Sequence, residues 1–232
     1  MAKDSVVLRF DKVSFEYGHK KPILDEVSFS MRRGSKITLM GQNGAGKSSL
    51  FKLITGEAKP TSGRISIDRE ETVAIGRQTI PRDQLDLTVE DYFQQFFHEK
   101  QWDLPKHIQN VLEIVHLPMP SMDKKIREFS GGQQARLLLA SALIQNPDIL
   151  LLDEPTNNLD ADGIAHLTQF LIDYDKTCIV ISHDADFLNS FTHGVLYLDV
   201  FTHTIEQYTG DYYDVIEEIA KRIAKAESEN VR

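Results

Sequence analysis

The chain has 232 residues, 41% of them hydrophobic, enough to bury a full core as one large domain or a domain with a subdomain. A net charge of −9, from 26 Lys+Arg against 35 Asp+Glu, argues against broad non-specific nucleic-acid binding and leaves room only for a local basic patch. The single cysteine excludes an intrachain disulfide, and no apolar run approaches the roughly 20 residues of a membrane span. Met1-Ala2-Lys3-Asp4 has no apolar leader, so a cytoplasmic protein without direct membrane insertion is expected.

Residues 6–10, 13–17 and 27–31 read as short strands, separated by turn signals at Gly18-His19 and Arg33-Gly34. With no helix between them, they predict an antiparallel sheet. Alternation puts Val13, Phe15 and Tyr17 on one face. Tyr17 is then either a sheet-face aromatic or a platform for a nucleobase, a stacking worth on the order of 1–3 kcal/mol. Position along the strand does not decide between them.

The apolar run at 37–40 reads as a buried strand leading into Gly41-Gln42-Asn43-Gly44-Ala45-Gly46-Lys47-Ser48. This stretch fits G-x-x-x-x-G-K-[ST] at every specified position. Gly41, Gly44 and Gly46 let the backbone turn tightly so that successive N–H groups converge on an anion. The following helix, carrying Ser49, Leu50, Phe51, Leu53 and Ile54 before Gly56, adds its positive N-terminal end. Lys47 supplies a point charge for the β/γ phosphates, and the Ser48 hydroxyl is a candidate Mg²⁺ ligand.

Residues 64–68 and 72–76 read as a paired hairpin, followed at once by Gln78. Residues 80–146 read mostly as helix. Thr88 is a candidate N-cap for a helix whose apolar stripe is Phe93, Phe96 and Phe97, and Pro105 starts a second helix carrying Ile108, Val111, Leu112 and Val115. Trp102, between them, is expected to pack in the core of this helical region. Ser130-Gly131-Gly132-Gln133 opens another helix, with Ser130 as N-cap, and makes a second candidate anion-binding terminus.

The continuous apolar run 149–152 is expected to be a central parallel strand. It ends in Asp153-Glu154, where open α/β sheets bind ligands. Asp153 can hold Mg²⁺ directly or through water, and Glu154 can deprotonate an attacking water, a role worth roughly 10²–10⁴ in rate. A loop to Asp160, a helix over 161–174 and a buried strand over 177–181 follow, the last containing Cys178 as a small hydrophobe and leading to Ser182-His183-Asp184. Residues 195–198 and 204–208 predict a hairpin. A last helix begins near Gly210 with Val215, Ile216, Ile219 and Ile223 on one face, then turns highly charged beyond Lys221, as a linker does.

In this order Tyr17, the loop 41–48, Gln78, Ser130-Gly131-Gly132-Gln133, Asp153, Glu154, Asp160 and His183 resemble the ATP-binding cassette (ABC) ATPases. The resemblance implies a P-loop α/β fold with a mixed core sheet, an antiparallel β subdomain and an inserted helical subdomain. The implied nucleotide-binding core covers 1–79 and 147–209, the helical subdomain 80–146, and the C-terminal helix and linker start 210–232. It implies ATP and Mg²⁺ as ligands, with Tyr17 on adenine, residues 41–49 on the phosphates, and Ser48, Gln78 and, through water, Asp153 on the metal. Glu154 would be the general base, His183 and Gln78 would attend the γ-phosphate, and Asp160 marks the D-loop. Ser130, Gly131, Gly132 and Gln133 would act in trans on nucleotide held by a second cassette, in tandem or in a homodimer.

Asp153-Glu154-Pro155-Thr156-Asn157, Ser182-His183-Asp184 with Phe187-Leu188, and Tyr208-Thr209-Gly210-Asp211-Tyr212 are similar to the ABC-F class, soluble tandem cassettes that act on ribosomes. Asn158, Ala185 and Phe129 depart from residues common in that class, without removing a catalytic group. No arm insertion stands out in the helical region, so an armless first cassette, a second cassette or a stand-alone domain is expected. The alternative is the nucleotide-binding subunit of a transporter, partnered by a transmembrane permease.

Overall fold

The computed structural model describes residues 5–18, 21–77 and 79–230, the last six without their side chains. In chain order its elements are β1 (Val6–Glu16), β2 (Pro22–Arg32), β3 (Lys36–Gly41), α1 (Lys47–Ile54), β4 (Ser62–Ile67) and β5 (Val73–Gly76). There follow α2 (Val89–Gln94), α3 (Leu104–Ile114), α4 (Gly131–Leu143), β6 (Ile149–Asp153), α5 (Ala161–Asp173) and β7 (Thr177–Ile181). The last are α6 (Ala185–Phe191), β8 (Gly194–Leu198), β9 (Ile205–Thr209) and α7 (Tyr212–Asn230). They fall into two compact units, Met1–Asp68 with His183–Arg232, and Arg69–Ser182.

In the first unit β1 is the middle strand of an antiparallel sheet, flanked by β2 and β4. What the sequence suggests as two strands, 6–10 and 13–17, is one bulged strand, and the expected strand 27–31 extends back to Pro22. Register shifts between Phe10 and Val13, and Lys12 has a left-handed φ of 45°. The bulge survives because its polar groups find partners: Lys12 N–H donates to Ser28 Oγ at 2.9 Å, and Glu26 N–H to Ser14 Oγ at 3.0 Å. Phe10 stacks on Phe29 across the pair, with centroids 4.5 Å apart.

The same unit holds a mixed arrangement in which β8 runs parallel to β3 and antiparallel to β9. The expected hairpin at 195–208 is therefore present. α7 buries Val215 and Ile219 against Val195, whereas Ile223 on the following turn is exposed. Among the described residues, no helix is long and apolar enough to cross a membrane.

In the second unit β5, β6 and β7 are parallel, with Leu151 opposite both Ile75 and Ile179. Ile149, Leu150, Leu151 and Leu152 are fully buried, as a strand covered on both faces requires. The expected pairing of 64–68 with 72–76 is not found. β4 pairs with β1, and β5 pairs with β6, since a strand is better supported as part of a larger sheet than in an isolated two-stranded hairpin.

The helices α2, α3 and α4 lie between β5 and β6 in the chain. Thr88 caps α2 through Asp91 N–H at 3.1 Å, as expected. The helix stops at Gln94, so Phe96 and Phe97 lie beyond it, and Tyr92 joins Phe93 as its fully buried anchor. Burial pushes the Tyr92 phenol up to about 12, with a contact to Ser141 Oγ at 3.4 Å. Trp102 does not pack in this core: it is 86% exposed, on the segment before α3, with Lys100 Nζ 5.5 Å from its ring centroid. Tyr92, Phe93 and Leu104 are the buried residues around it in sequence.

Asp148 ties the entrances of the three parallel strands. It accepts from Thr72 N–H at 2.9 Å and Thr72 Oγ1 at 2.8 Å, and Lys176 Nζ lies 3.1 Å away. Burial pushes its carboxyl up, but the Thr72 and Lys176 contacts together outweigh that and hold it below the usual range. A folded value below the unfolded one gives stability that is complete above about pH 4 and lost as pH falls through the folded value. Asp148→Ala should therefore cost about 1–3 kcal/mol in urea unfolding at pH 7, and the gap to the parent should narrow below about pH 4.

Candidate functional site

The phosphate loop is built in the first unit. β3 is buried from Ile37 to Leu39 and delivers the chain to Gly41. A methyl group at Gly41 would lie 2.6 Å from the Leu198 carbonyl oxygen of β8, so the parallel pairing itself demands glycine there. Gly46 has φ +106°, and a Cβ would meet Ile23 Cγ2 at 2.2 Å. Gly46 is also the N-cap of α1, with no side-chain cap, so the first N–H groups of the helix face the loop rather than a capping oxygen.

Lys47 Nζ donates to the carbonyl oxygens of Gly41 at 2.7 Å and Gln42 at 3.2 Å, which holds the ammonium over the loop. Gln42, Asn43, Gly44 and Ser48 are exposed, while Ala45 and Ser49 are buried beneath them. Ser49 Oγ donates to the Tyr17 hydroxyl at 3.3 Å. Lys52 Nζ lies 5.9 Å from the Tyr17 ring centroid, and Phe15 meets that ring edge-on at 4.9 Å. Val13 and Phe15 are core residues, whereas Tyr17 is 48% exposed. The ring is thus tied to the phosphate-loop helix with a large part of its surface open, the arrangement a base-stacking platform needs.

The paired carboxylates are in the second unit. β6 carries Asp153 and Glu154 out of the buried sheet into a cavity of about 260 Å³. Its lining includes Gly76, Arg136, Asp153, Glu154, Asn157 and Asn158. Glu154 has φ +50°, a left-handed backbone seldom adopted by a residue with a long side chain, and its N–H donates to the Ile181 carbonyl at 2.8 Å. Such strain persists only where surrounding structure over-determines it, and it clusters at functional sites. Ser130 caps α4 by accepting from Gln133 N–H at 3.3 Å, and Gln133 Oε1 accepts from Ser130 N–H at 3.0 Å. Gly131 and Gly132 have open space where a Cβ would stand. Ser130, Gly131, Gly132 and Gln133 do not line the Glu154 cavity, although α4 reaches it one turn later through Ala135 and Arg136.

His183 is exposed ahead of α6, and the adjacent Asp184 caps that helix through Phe187 N–H at 3.0 Å. Gln78 lies outside the described residues. Asp160 caps α5 through Gly163 N–H at 2.8 Å and also contacts His116 Nδ1. Hydrogen bonds from the Gly163 backbone and His116 hold the Asp160 carboxyl below the usual range. His116 and Arg136 carry no motif signal, because their importance rests on contacts made across 44 and 22 positions of the chain.

A glycine-bounded anion loop running from a buried strand into an uncapped helix, with paired carboxylates at the end of a parallel strand, defines a P-loop α/β nucleotide-binding fold. The chain belongs to the ATP-binding cassette family, whose model, described as ABC transporter, matches residues 24–157, and it is an ATPase domain of that family. It is 37% identical over 210 residues to the probable ATP-binding protein YheS of Escherichia coli K12, covering 90% of this chain and 32% of that protein. It is 30% identical over 240 residues to the energy-dependent translational throttle protein EttA of Mycobacterium tuberculosis H37Rv, covering 88% of this chain and 42% of that one. Both are of the ABC-F type.

Among solved structures, the ATP-binding subunit of an ABC transporter superposes with a TM-score of 0.79 at 20% identity, covering 97% of this chain and 100% of that one. A dimeric post-hydrolysis cassette bound to ADP and Pi gives 0.71 at 23% identity, covering 87% and 98%. The chain spans about a third to a half of the length of the curated relatives it matches.

Gly46→Ala should destabilise the protein by about 1–3 kcal/mol in urea unfolding, through both backbone strain and the collision with Ile23. Gly44→Ala, also at positive φ but in open space, should cost less.

Proposed function

We propose that the chain binds ATP through residues 41–49 and Tyr17, closes head-to-tail on a second cassette, and hydrolyses ATP with Glu154 as general base. The observation that carries this reading is Glu154 itself, held in a left-handed conformation beside Asp153 at the end of a fully buried strand. Its carboxylate orients the attacking water and accepts its proton, while charge spreads over the γ-phosphoryl oxygens. The loop N–H groups and Lys47 stabilise that charge from one side. Ser130 and the open N-terminus of α4, on the partner cassette, stabilise it from the other. His183 contributes a hydrogen bond to the γ-phosphate, and Gln78 senses its presence.

The donor set suits a small hard cation. Among the described residues no group of three or more His, Cys, Asp or Glu side chains is placed to cage a metal. A hydroxyl from Ser48 and a carboxylate from Asp153, the latter through water, with Gln78, match an ion that keeps waters and shares phosphate oxygens, as Mg²⁺ does. When bound, it would supply neutralisation of the phosphate charge.

We assign the second cassette to a tandem or homodimeric ABC-F-type arrangement acting on the ribosome in the cytoplasm. Similarity to EttA, named as a translational throttle protein, and to YheS supports this. The implied boundaries are a nucleotide-binding core at 1–79 and 147–209, a helical subdomain at 80–146, and a linker start at 210–232. Cassette closure and reopening, rather than chemistry on another substrate, is the output.

Glu154→Gln should retain ATP binding and lower kcat by roughly 10²–10⁴, accumulating a closed dimer by size-exclusion chromatography; unchanged turnover would remove Glu154 as the base. ATP-dependent co-sedimentation of that variant with 70S ribosomes is expected. Co-purification with a membrane permease and absence from ribosomes would overturn the ABC-F assignment.

A further inference from the structure

We propose that His116 is a positioning residue for the loop that carries Glu154, acting by holding the far end of that loop at Asp160. The proposal rests on the reading of Glu154 as the hydrolytic base. Residues 154–160 leave β6 and enter α5 without a regular element of their own. Within the loop, Asn157 N–H donates to the Glu154 carbonyl at 3.3 Å and Leu159 N–H to the Thr156 carbonyl at 3.1 Å. Glu154 N–H is itself anchored to the Ile181 carbonyl at 2.8 Å where the loop begins, and the path of the loop beyond it depends on what grips its far end.

Two side chains grip that far end, while nearer β6 the Thr156 and Ser182 hydroxyls lie 3.5 Å apart. Arg136, on α4, donates from Nε to the Asn158 carbonyl at 2.9 Å and from Nη1 to the His116 carbonyl at 2.7 Å. His116, just beyond α3, places Nδ1 3.0 Å from Asp160 Oδ1 and 3.1 Å from Oδ2. The local packing is shaped to permit this contact. A Cβ at position 163 would stand 2.9 Å from Asp160 Oδ1 and 3.3 Å from His116 Cβ, so Gly163 keeps the space for both.

The backbone of His116 supplies an independent observation. Its φ is +54°, where glycine is the least costly residue, yet a histidine stands there at the end of a helix. Histidine is among the residues that adopt this conformation more readily than most, and here the turn delivers its ring to Asp160. The His166 ring lies 5.7 Å from that of His116, and Glu113 lines the same groove, but the hydrogen-bond contacts of the imidazole are with Asp160. Asp160 is half-exposed and so is His116, so the pair adds little to global stability and its effect is geometric.

Two variants separate the ring from the backbone. His116→Gly removes the donor and relieves the left-handed strain, whereas His116→Asn tolerates that conformation and keeps an N–H near the position of Nδ1. The readouts are amide hydrogen exchange over residues 154–163 in the nucleotide-free chain, and kcat and KM for ATP hydrolysis. His116→Gly should speed exchange about tenfold. It should also lower kcat about five- to tenfold, with KM within about twofold and the melting temperature not reduced. His116→Asn should restore exchange and kcat to within about twofold of the parent.

Parental exchange and turnover in His116→Gly would overturn the proposal, as would a His116→Asn variant no better than glycine. If the parent chain hydrolyses no ATP, the reading of Glu154 falls, and the exchange measurements alone still decide whether His116 holds the loop.

Discussion

The approach of the phosphate loop to its surroundings depends on two places where a methyl group has no room. At Gly41 the β8 backbone lies within 2.6 Å of a would-be Cβ, and at Gly46 the Ile23 side chain lies within 2.2 Å. Close parallel pairing of β3 with β8 sets the first limit, and the seating of the β2 side chain against the loop sets the second. Together they hold the turn tightly enough that α1 begins without a side-chain cap, its dipole open toward the loop. The placement of Tyr17 depends on the same helix, because Ser49 and Lys52 project from it.

The end of β6 that carries the paired carboxylates relies on a different device. There the buried strand β6 supplies rigidity, and a short irregular loop supplies reach. The left-handed backbone at Glu154 turns the chain sharply as it leaves the sheet, and Arg136 with His116 closes the loop at its far end. A rigid strand followed by a loop pinned at both ends keeps a carboxylate in place without burying it, as the proposed role of Glu154 as a base toward water requires.

Motifs and buried parallel strands were legible in the sequence because both depend on local residue types. The loop 41–48, the Ser130 and Thr88 caps and the apolar run 149–152 all occupy the expected elements. What escaped was decided by distant partners. Nothing near residue 70 shows that β5 will pair with β6 rather than β4, and nothing near Phe10 shows that serines 14 and 28 will sustain a bulge. The position of Trp102 between two predicted helices suggests a core residue, but Tyr92, Phe93 and Leu104 are buried there while the indole is exposed. The grip of His116 on Asp160 escaped for the same reason, since neither residue carries a local pattern that names the other.

The central claim is that the loop 41–48 is half of an ATP site, completed by the α4 N-terminus of another cassette. Two copies joined by a flexible linker test it directly, with ATP hydrolysis as the readout. One fusion carries Lys47→Ala in the first copy and Ser130→Arg in the second; the other carries both changes in the first copy and none in the second. A site shared between cassettes predicts hydrolysis in the first fusion, where one composite site stays intact, and none in the second. Hydrolysis in the second fusion with none in the first would place the whole site within one chain and contradict the account.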